Sequence, residues 1–409
     1  MLDSKNCFIF KLKDNIEFQT FDGENDVSSY LLKYNNRYWR VSEFVFEVIN
    51  AMTDTNSLED LRVVLEQKKG IQLTDNQFSV IYDFLESSGL LIGTTSEPVK
   101  ARSPLWFKFT IIPSRIVNKL HHLDFLFSQH IATAVLAICS LWLLYVYIQY
   151  DITDITTSVF SLPIEDVLIV YFFTISFALF HELGHATALQ HYGLSAGSIG
   201  AAVYFIMPVF FTNVTEAWKL KRYQRIIVDI GGIYFQILLL FLVWLLNIYL
   251  KSYLLSLSVF LSSFSIVSNL NPFIKMDGYW MLSDYFGTPN VISYIASYWK
   301  SVFKIKKTRN IYPVKQRIII VIYSVFACLF FMYFSVFLLE STIVACQLIY
   351  ADISNIKLVG FSVIDILNYI RTRFSQYIVI IFAVRIIVKT SIKLLQTTAR
   401  TKNGVEKND

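Results

Sequence analysis

From about residue 129 onward, apolar runs close to the roughly 20 residues needed to cross a bilayer alternate with short polar segments. Five runs stand out, at about 131–148, 167–189, 226–249, 253–275 and 318–339. A sixth, at about 376–392, is weakly apolar and carries Arg385, and the stretch 341–375 follows no clear pattern. The pattern predicts a mainly α fold, a polytopic membrane helix bundle of about six spans. Residues 1–95 read differently, as a small N-terminal α+β, winged-helix-like cytoplasmic domain. Tyr30–Tyr34 and Arg37–Val41 flank Asn35-Asn36, a hairpin turn signal. Three helix starts follow, with Ser42 before Glu43, Ser57 with Asp60 and Thr74 with Gln77 as caps, and Gly70 and Gly89 as stops.

Between these parts, residues 96–128 form an amphipathic connector, where Trp106, Phe107, Phe109, Ile111 and Ile112 are interspersed with Lys108, Arg115 and Lys119. That mixture suits a segment lying on the cytoplasmic surface of a bilayer. The membrane domain is expected over 129–395, followed by a cytoplasmic tail over 396–409.

Composition agrees with the pattern: 55% of residues are hydrophobic and 16% charged. The net charge of +5 hides an asymmetry, because residues 1–95 carry nine Lys/Arg against fifteen Asp/Glu, a balance of −6, and the remainder carries +11. Basic clusters at Lys219–Arg225 and across 300–317 mark cytoplasmic loops. The apolar run from Gly197 to Asn213 would put both clusters outside if it crossed, so it is read as a re-entrant hairpin. The polar start, Met1 to Lys5, places the N-terminus in the cytoplasm, and the basic tail places the C-terminus there too, in a multi-pass protein of the cell membrane. The acidic N-terminal part argues against nucleic acid as a partner and leaves peptide binding as its natural role. The four cysteines are scattered and form no metal-binding pair.

The chemistry concentrates in Phe180-His181-Glu182-Leu183-Gly184-His185-Ala186, an H-E-x-x-H motif near the end of the second run. Residues four apart share a helix face, so His181 and His185 can offer two imidazoles to one ion, and Glu182 beside them can act as general base. A catalytic zinc usually takes three protein ligands and leaves a position for water. Asp277 is the leading third candidate, at about the same expected depth. Asn271-Pro272 before it breaks the helix, and Gly278 after it permits a tight turn. His191 is a rival, six residues after His185, but on a continuing helix it lies about 240° away. It is read as a solvated helix end. Asp284 is read as a capping or supporting carboxylate near the site, and Asp229 as an ion-pair partner for Arg225.

Two resemblances enter here. Residues 28–93 resemble the PqqD-like leader-recognition domains of pathways that make modified peptides, which bind their peptide as an added strand. H-E-L-G-H-A at 181–186 with N-P-x-x-x-x-D-G at 271–278 resembles the site-2 protease family of intramembrane zinc metalloproteases. Within that family the chain is similar to the bacterial peptide zinc metalloproteases, which join a PqqD-like domain to the membrane core. Met276, where the family commonly carries Leu or Phe before its D-G pair, is a mild departure. The resemblance implies one zinc ion per chain held by His181, His185 and Asp277, Glu182 as base, and hydrolysis of a peptide bond in a small peptide precursor or leader. It also implies a peptide-modifying enzyme or an ABC transporter as a partner. A different class is a non-proteolytic export or immunity component with a vestigial metal site, for which Glu182 would be dispensable. A membrane di-iron oxidase is disfavoured by the six histidines, three of them at 121, 122 and 130.

Overall fold

The computed structural model describes residues 11–21, 29–92, 105–149 and 162–356, apart from 36, 54, 56, 205–206, 272–274, 289 and 304–311, with five positions beyond 356. Pro272, the tail 396–409 and nearly all of the sixth apolar run lie outside the described residues. Two compact units divide the chain. One comprises Met1–Ser128, Glu182–Gly232 and Trp280–Tyr294; the other comprises Gln129–His181, Ile233–Tyr279 and Ile295–Asp409.

In the first unit, β1 (Glu17–Phe21), β2 (Ser29–Tyr34) and β3 (Arg37–Ser42) form an antiparallel sheet in that order. Asn35 turns between β2 and β3 at φ 47°, the left-handed backbone that short hairpin turns require and asparagine tolerates. Helices α1 (Glu43–Met52), α2 (Leu58–Lys69) and α3 (Asp75–Ser87) follow. Ser42 and Ser57 accept backbone N–H bonds, Thr74 and Gln77 close a reciprocal capping box, and Gly70 ends α2 at φ 64°. Leu32 of the central strand packs with Ile49, Leu61, Leu65, Phe78 and Leu85 of the helices. The hairpin and the three helices are those the sequence pattern predicts, and β1 is an additional strand.

A second three-stranded sheet, in the order given, consists of β4 (Leu105–Ile112), β5 (Ile199–Tyr204) and β6 (Met207–Thr212). The hairpin expected over 197–213 is β5 with β6. Within the connector, β4 pairs with β5 and so satisfies the backbone of both apolar stretches. Phe107, at φ 51°, sits in a bulge in that pairing. Between β4 and the membrane helices lie α4 (Ser114–Val117) and a 3-10 helix, Asn118–Phe127.

The helices are α5 (Gln129–Gln149), α6 (Ile164–His191), α7 (Arg222–Leu250), α8 (Tyr253–Asn269), α9 (Asp277–Phe286), α10 (Val291–Val302) and α11 (Val314–Ile356). Among the described residues, four helices are long and apolar enough to cross a membrane: α5, α6, α7 and the Gln347-terminated part of α11. The chain is a membrane protein, and among its described residues such helices are fewer than the six expected. The fourth run yields only the shorter α8, since the proline at 272 disfavours helical backbone at 271, and the chain restarts as α9. In the second unit, Trp142 and Val146 of α5, Phe177 of α6, Ile233, Ile237 and Leu240 of α7 and Phe260 of α8 share one core. Leu141, Leu144 and Ile148 on the other side of α5 are exposed, a face that only an apolar solvent favours.

Candidate metal centre

α6 carries the motif in its last third. Among the described residues, His181, Glu182 and His185 each offer a ligand atom, all within 4.8 Å of one another. Both imidazoles are buried and Glu182 is half-buried.

Each imidazole is oriented through its Nδ1. That of His185 lies 2.8 Å from the backbone carbonyl of Val228 on α7. A carbonyl only accepts, so Nδ1 carries the proton and Nε2 keeps its lone pair. The close approach depends on small residues. A Cβ at Gly231 would meet the Gly184 carbonyl oxygen and the Ala188 methyl, each at 2.8 Å, so the glycine on α7 lets its backbone reach that of the motif.

The Nδ1 of His181 lies 3.0 Å from Oε1 of Gln236, also on α7. The orientation of that amide is fixed by its other end, where Nε2 donates to the Ser262 carbonyl at 3.1 Å and to Ser265 Oγ at 2.7 Å. Ser265 Oγ donates onward to the same carbonyl, which leaves it an acceptor for Gln236. Oε1 therefore faces the imidazole and accepts the hydrogen bond from its Nδ1–H, and Nε2 of His181 is again the lone-pair side.

That lone pair points at a carboxylate: Nε2 of His181 and Oδ2 of Asp277 are 2.9 Å apart. Two lone pairs at this distance repel unless a cation, either a proton or a metal ion, is shared between them. Imidazole nitrogens and carboxylate oxygens, as His181, Glu182 and His185 offer on one helical turn and as Asp277 offers to His181, are donors of the kind zinc takes. Asp277 opens α9, and Gly278 packs against the turn before it, where a Cβ would stand 2.4 Å from the Leu270 carbonyl oxygen. No larger residue fits there while the aspartate stays where it is. Glu182 is held by Thr212, the last residue of β6, whose hydroxyl lies 2.8 Å from Oε2 and 2.9 Å from the Glu182 carbonyl oxygen.

Other residues singled out in the sequence fall elsewhere. His191 ends α6 with its ring 6.2 Å from Phe127 and is not in the metal-competent group. Asn271 is fully buried just after α8. Arg225 pairs with Asp284 at 2.7 Å and not with the Asp229 expected, because α9 brings its C-terminal half to that arginine. Burial holds the Asp284 carboxyl above its ordinary value, and Arg225 and Arg222 offset only part of that. Gln236 and Thr212 were not found from sequence. A signal for Gln236 existed, since a lone amide inside an apolar run is costly and points to a partner. Thr212 had none, because its role depends on where a hairpin ends.

A curated protein of Bacillus subtilis (strain 168), "Putative peptide zinc metalloprotease protein YydH", is 27% identical to the chain over 135 residues. The match covers 32% of this chain and 53% of that protein, so the chain spans about half the length of the curated relative it matches. No protein-family model and no solved structure matches the chain. The chain is thus similar over part of its length to a protein named as a peptide zinc metalloprotease, and its His181, Glu182 and His185 are placed as a metal site requires.

Proposed function

We propose that this protein is an intramembrane zinc metalloendopeptidase of the site-2 protease type, with His181, His185 and Asp277 as ligands and Glu182 as general base. The observation that carries the reading is the 2.9 Å approach of Asp277 Oδ2 to the unprotonated Nε2 of His181, which calls for a shared cation. A bound zinc ion would supply the Lewis acidity that makes water a nucleophile at neutral pH and polarises a carbonyl.

Glu182 takes the proton of the attacking water at its carboxylate and returns it to the leaving amine. Thr212 fixes Oε2 of that carboxylate while the other oxygen stays available. The substrate is held extended along the β5–β6 hairpin, whose last residue touches the base, because a bond inside a helix cannot be attacked. The substrate class is a small peptide precursor or its leader, recruited by the PqqD-like N-terminal part. A peptide-modifying enzyme or an ABC transporter acts beside it. The protein lies in the cell membrane with both termini cytoplasmic, and the fourth and sixth apolar runs complete a six-span topology.

Replacing Glu182 by Gln tests the reading. Precursor maturation should fall by about 100-fold to 10,000-fold, the range of a lost general base, while zinc measured by elemental analysis stays near one per chain. Unaltered maturation would sink the proteolytic reading in favour of a peptide-binding export or immunity component.

A further inference from the structure

The pleat of the N-terminal sheet gives it two faces. Phe18, Leu32 and Trp39 stand opposite one another across β1, β2 and β3 and turn toward helices α1 to α3. The adjacent row, Gln19, Leu31 and Arg40, therefore points the other way, together with Phe21 and Tyr38. A sheet standing alone would wet that second face, yet Phe21 and Leu31 are 8% and 2% exposed. Its contacts are with residues of the same compact unit. Gln19 donates to the Lys219 carbonyl, Tyr38 to Glu216 and Arg40 to the Gly287 carbonyl, each at 3.0 Å. The Phe21 ring lies 6.0 Å from that of Trp218, on the 3-10 helix Thr215–Lys219.

The same ring has the Arg225 guanidinium 4.5 Å from its centroid and that of Arg40 at 5.0 Å. Arg225 is 4% exposed and shares the first turn of α7 with Arg222, where the helix dipole disfavours cations. Helix stability does not explain its place, but its partners do. Its Nε donates to Asp284 Oδ1 at 2.7 Å and its Nη1 to the Leu220 carbonyl at 2.8 Å, while Arg222 donates to the Asp284 and Tyr285 carbonyls. The first turn of α7 is thus fixed by a carboxylate, by carbonyls and by an aromatic ring of β1. Val228 follows three residues after Arg225, about 4.5 Å along the helix axis, and its carbonyl accepts from His185 Nδ1 at 2.8 Å. Three residues further, Gly231 abuts the Gly184 carbonyl. Over so short a length a helix does not absorb a shift or rotation of its first turn.

We propose that Phe21 and Arg225 are positioning residues for His185, acting through the first two turns of α7 and the Val228 carbonyl. Every residue on this route, from Phe21 through Arg225 and Val228 to His185, lies in one compact unit. The N-terminal sheet then helps to set the rotation of one imidazole. The inference rests on the reading of His185 as a metal ligand, and the test separates the two.

The test measures zinc affinity of the full-length, detergent-purified chain by competition with a chromophoric chelator, alongside the visible spectrum of the same protein saturated with cobalt. His185→Asn is the control for the ligand reading and should weaken zinc at least about 10-fold, the smallest loss seen even for a group that only orients a ligand. Arg225→Lys keeps the charge but not the forked geometry, and Phe21→Leu keeps apolar bulk but not the ring. Each should weaken zinc about threefold to tenfold, less than a group bonded directly to a ligand, and shift the cobalt bands. Because both act through one side chain, the double variant should lose little more than Arg225→Lys alone. If His185→Asn leaves zinc affinity unchanged, the ligand reading fails. If it acts while the cobalt bands of Arg225→Lys and Phe21→Leu stay unmoved, whatever their melting temperatures, the positioning role fails alone. Full additivity of the two changes would overturn the shared route.

Discussion

The two histidines of one helix turn are held in opposite ways. His185 donates to a backbone carbonyl, that of Val228, which no substitution at 228 removes. His181 donates to a side-chain amide that is itself oriented by a serine carbonyl and a serine hydroxyl. The first arrangement relies on the backbone approach that Gly231 allows, and the second on a chain of buried polar groups. The same chemical need, a protonated Nδ1 and an Nε2 that keeps its lone pair, is thus met once by packing and once by hydrogen bonding. The two halves of the site should therefore fail by different routes.

The largest effect is expected on the packing side. Gly231→Val drives a branched side chain into the Gly184 backbone, and overpacking against backbone should cost about 3 kcal/mol, the upper end of its usual range. A thermal melt in detergent would show it, with zinc lost as His185 moves. On the polar side, Gln236→Leu should leave the fold nearly intact and weaken zinc about 10-fold to 100-fold, as removal of a ligand's hydrogen-bond partner does. Equal losses of stability in both variants would erase the distinction between the two halves. Thr212→Val should lower the catalytic rate by about threefold to tenfold and leave zinc affinity unchanged, because the threonine touches the base and neither imidazole. A parallel loss of zinc would mean that β6 also shapes the ligand set.

Acid should give the smallest effect. Burial pushes the Glu216 carboxyl up, but hydrogen bonds from Lys219 and Tyr38 and the charges of Lys219 and Lys33 outweigh it and leave it below its ordinary value. Its contribution to seating the N-terminal sheet is therefore fully present above the ordinary value of 4.5 and fades as pH falls through the lower, folded value. Trp218 fluorescence followed from pH 7 to pH 3 should report the change, and Tyr38→Phe should move the transition toward higher pH.

Much of this was legible in the chain. The runs read at 131–148, 167–189 and 226–249 are α5, α6 and α7 with slightly wider ends, because helix length and apolarity are local quantities. The caps at Ser42, Ser57 and Thr74 are equally local. Two readings went astray where a partner was remote. The connector hid β4, since an exposed strand bearing Trp106, Phe107 and Phe109 looks like any amphipathic stretch until β5 arrives beside it. Arg225 was matched with Asp229, four residues along its own helix, when the carboxylate it meets is Asp284.

By itself the sequence determined that His181, Glu182 and His185 share one helical turn, since a spacing of four and the geometry of the helix need nothing more. Tertiary structure alone decided which nitrogen of each ring keeps its lone pair and which carboxylate stands against it. Those depend on hydrogen bonds to Val228, to Gln236 and, through it, to Ser262, and on the return of the chain at Asp277, at separations where no local pattern carries information.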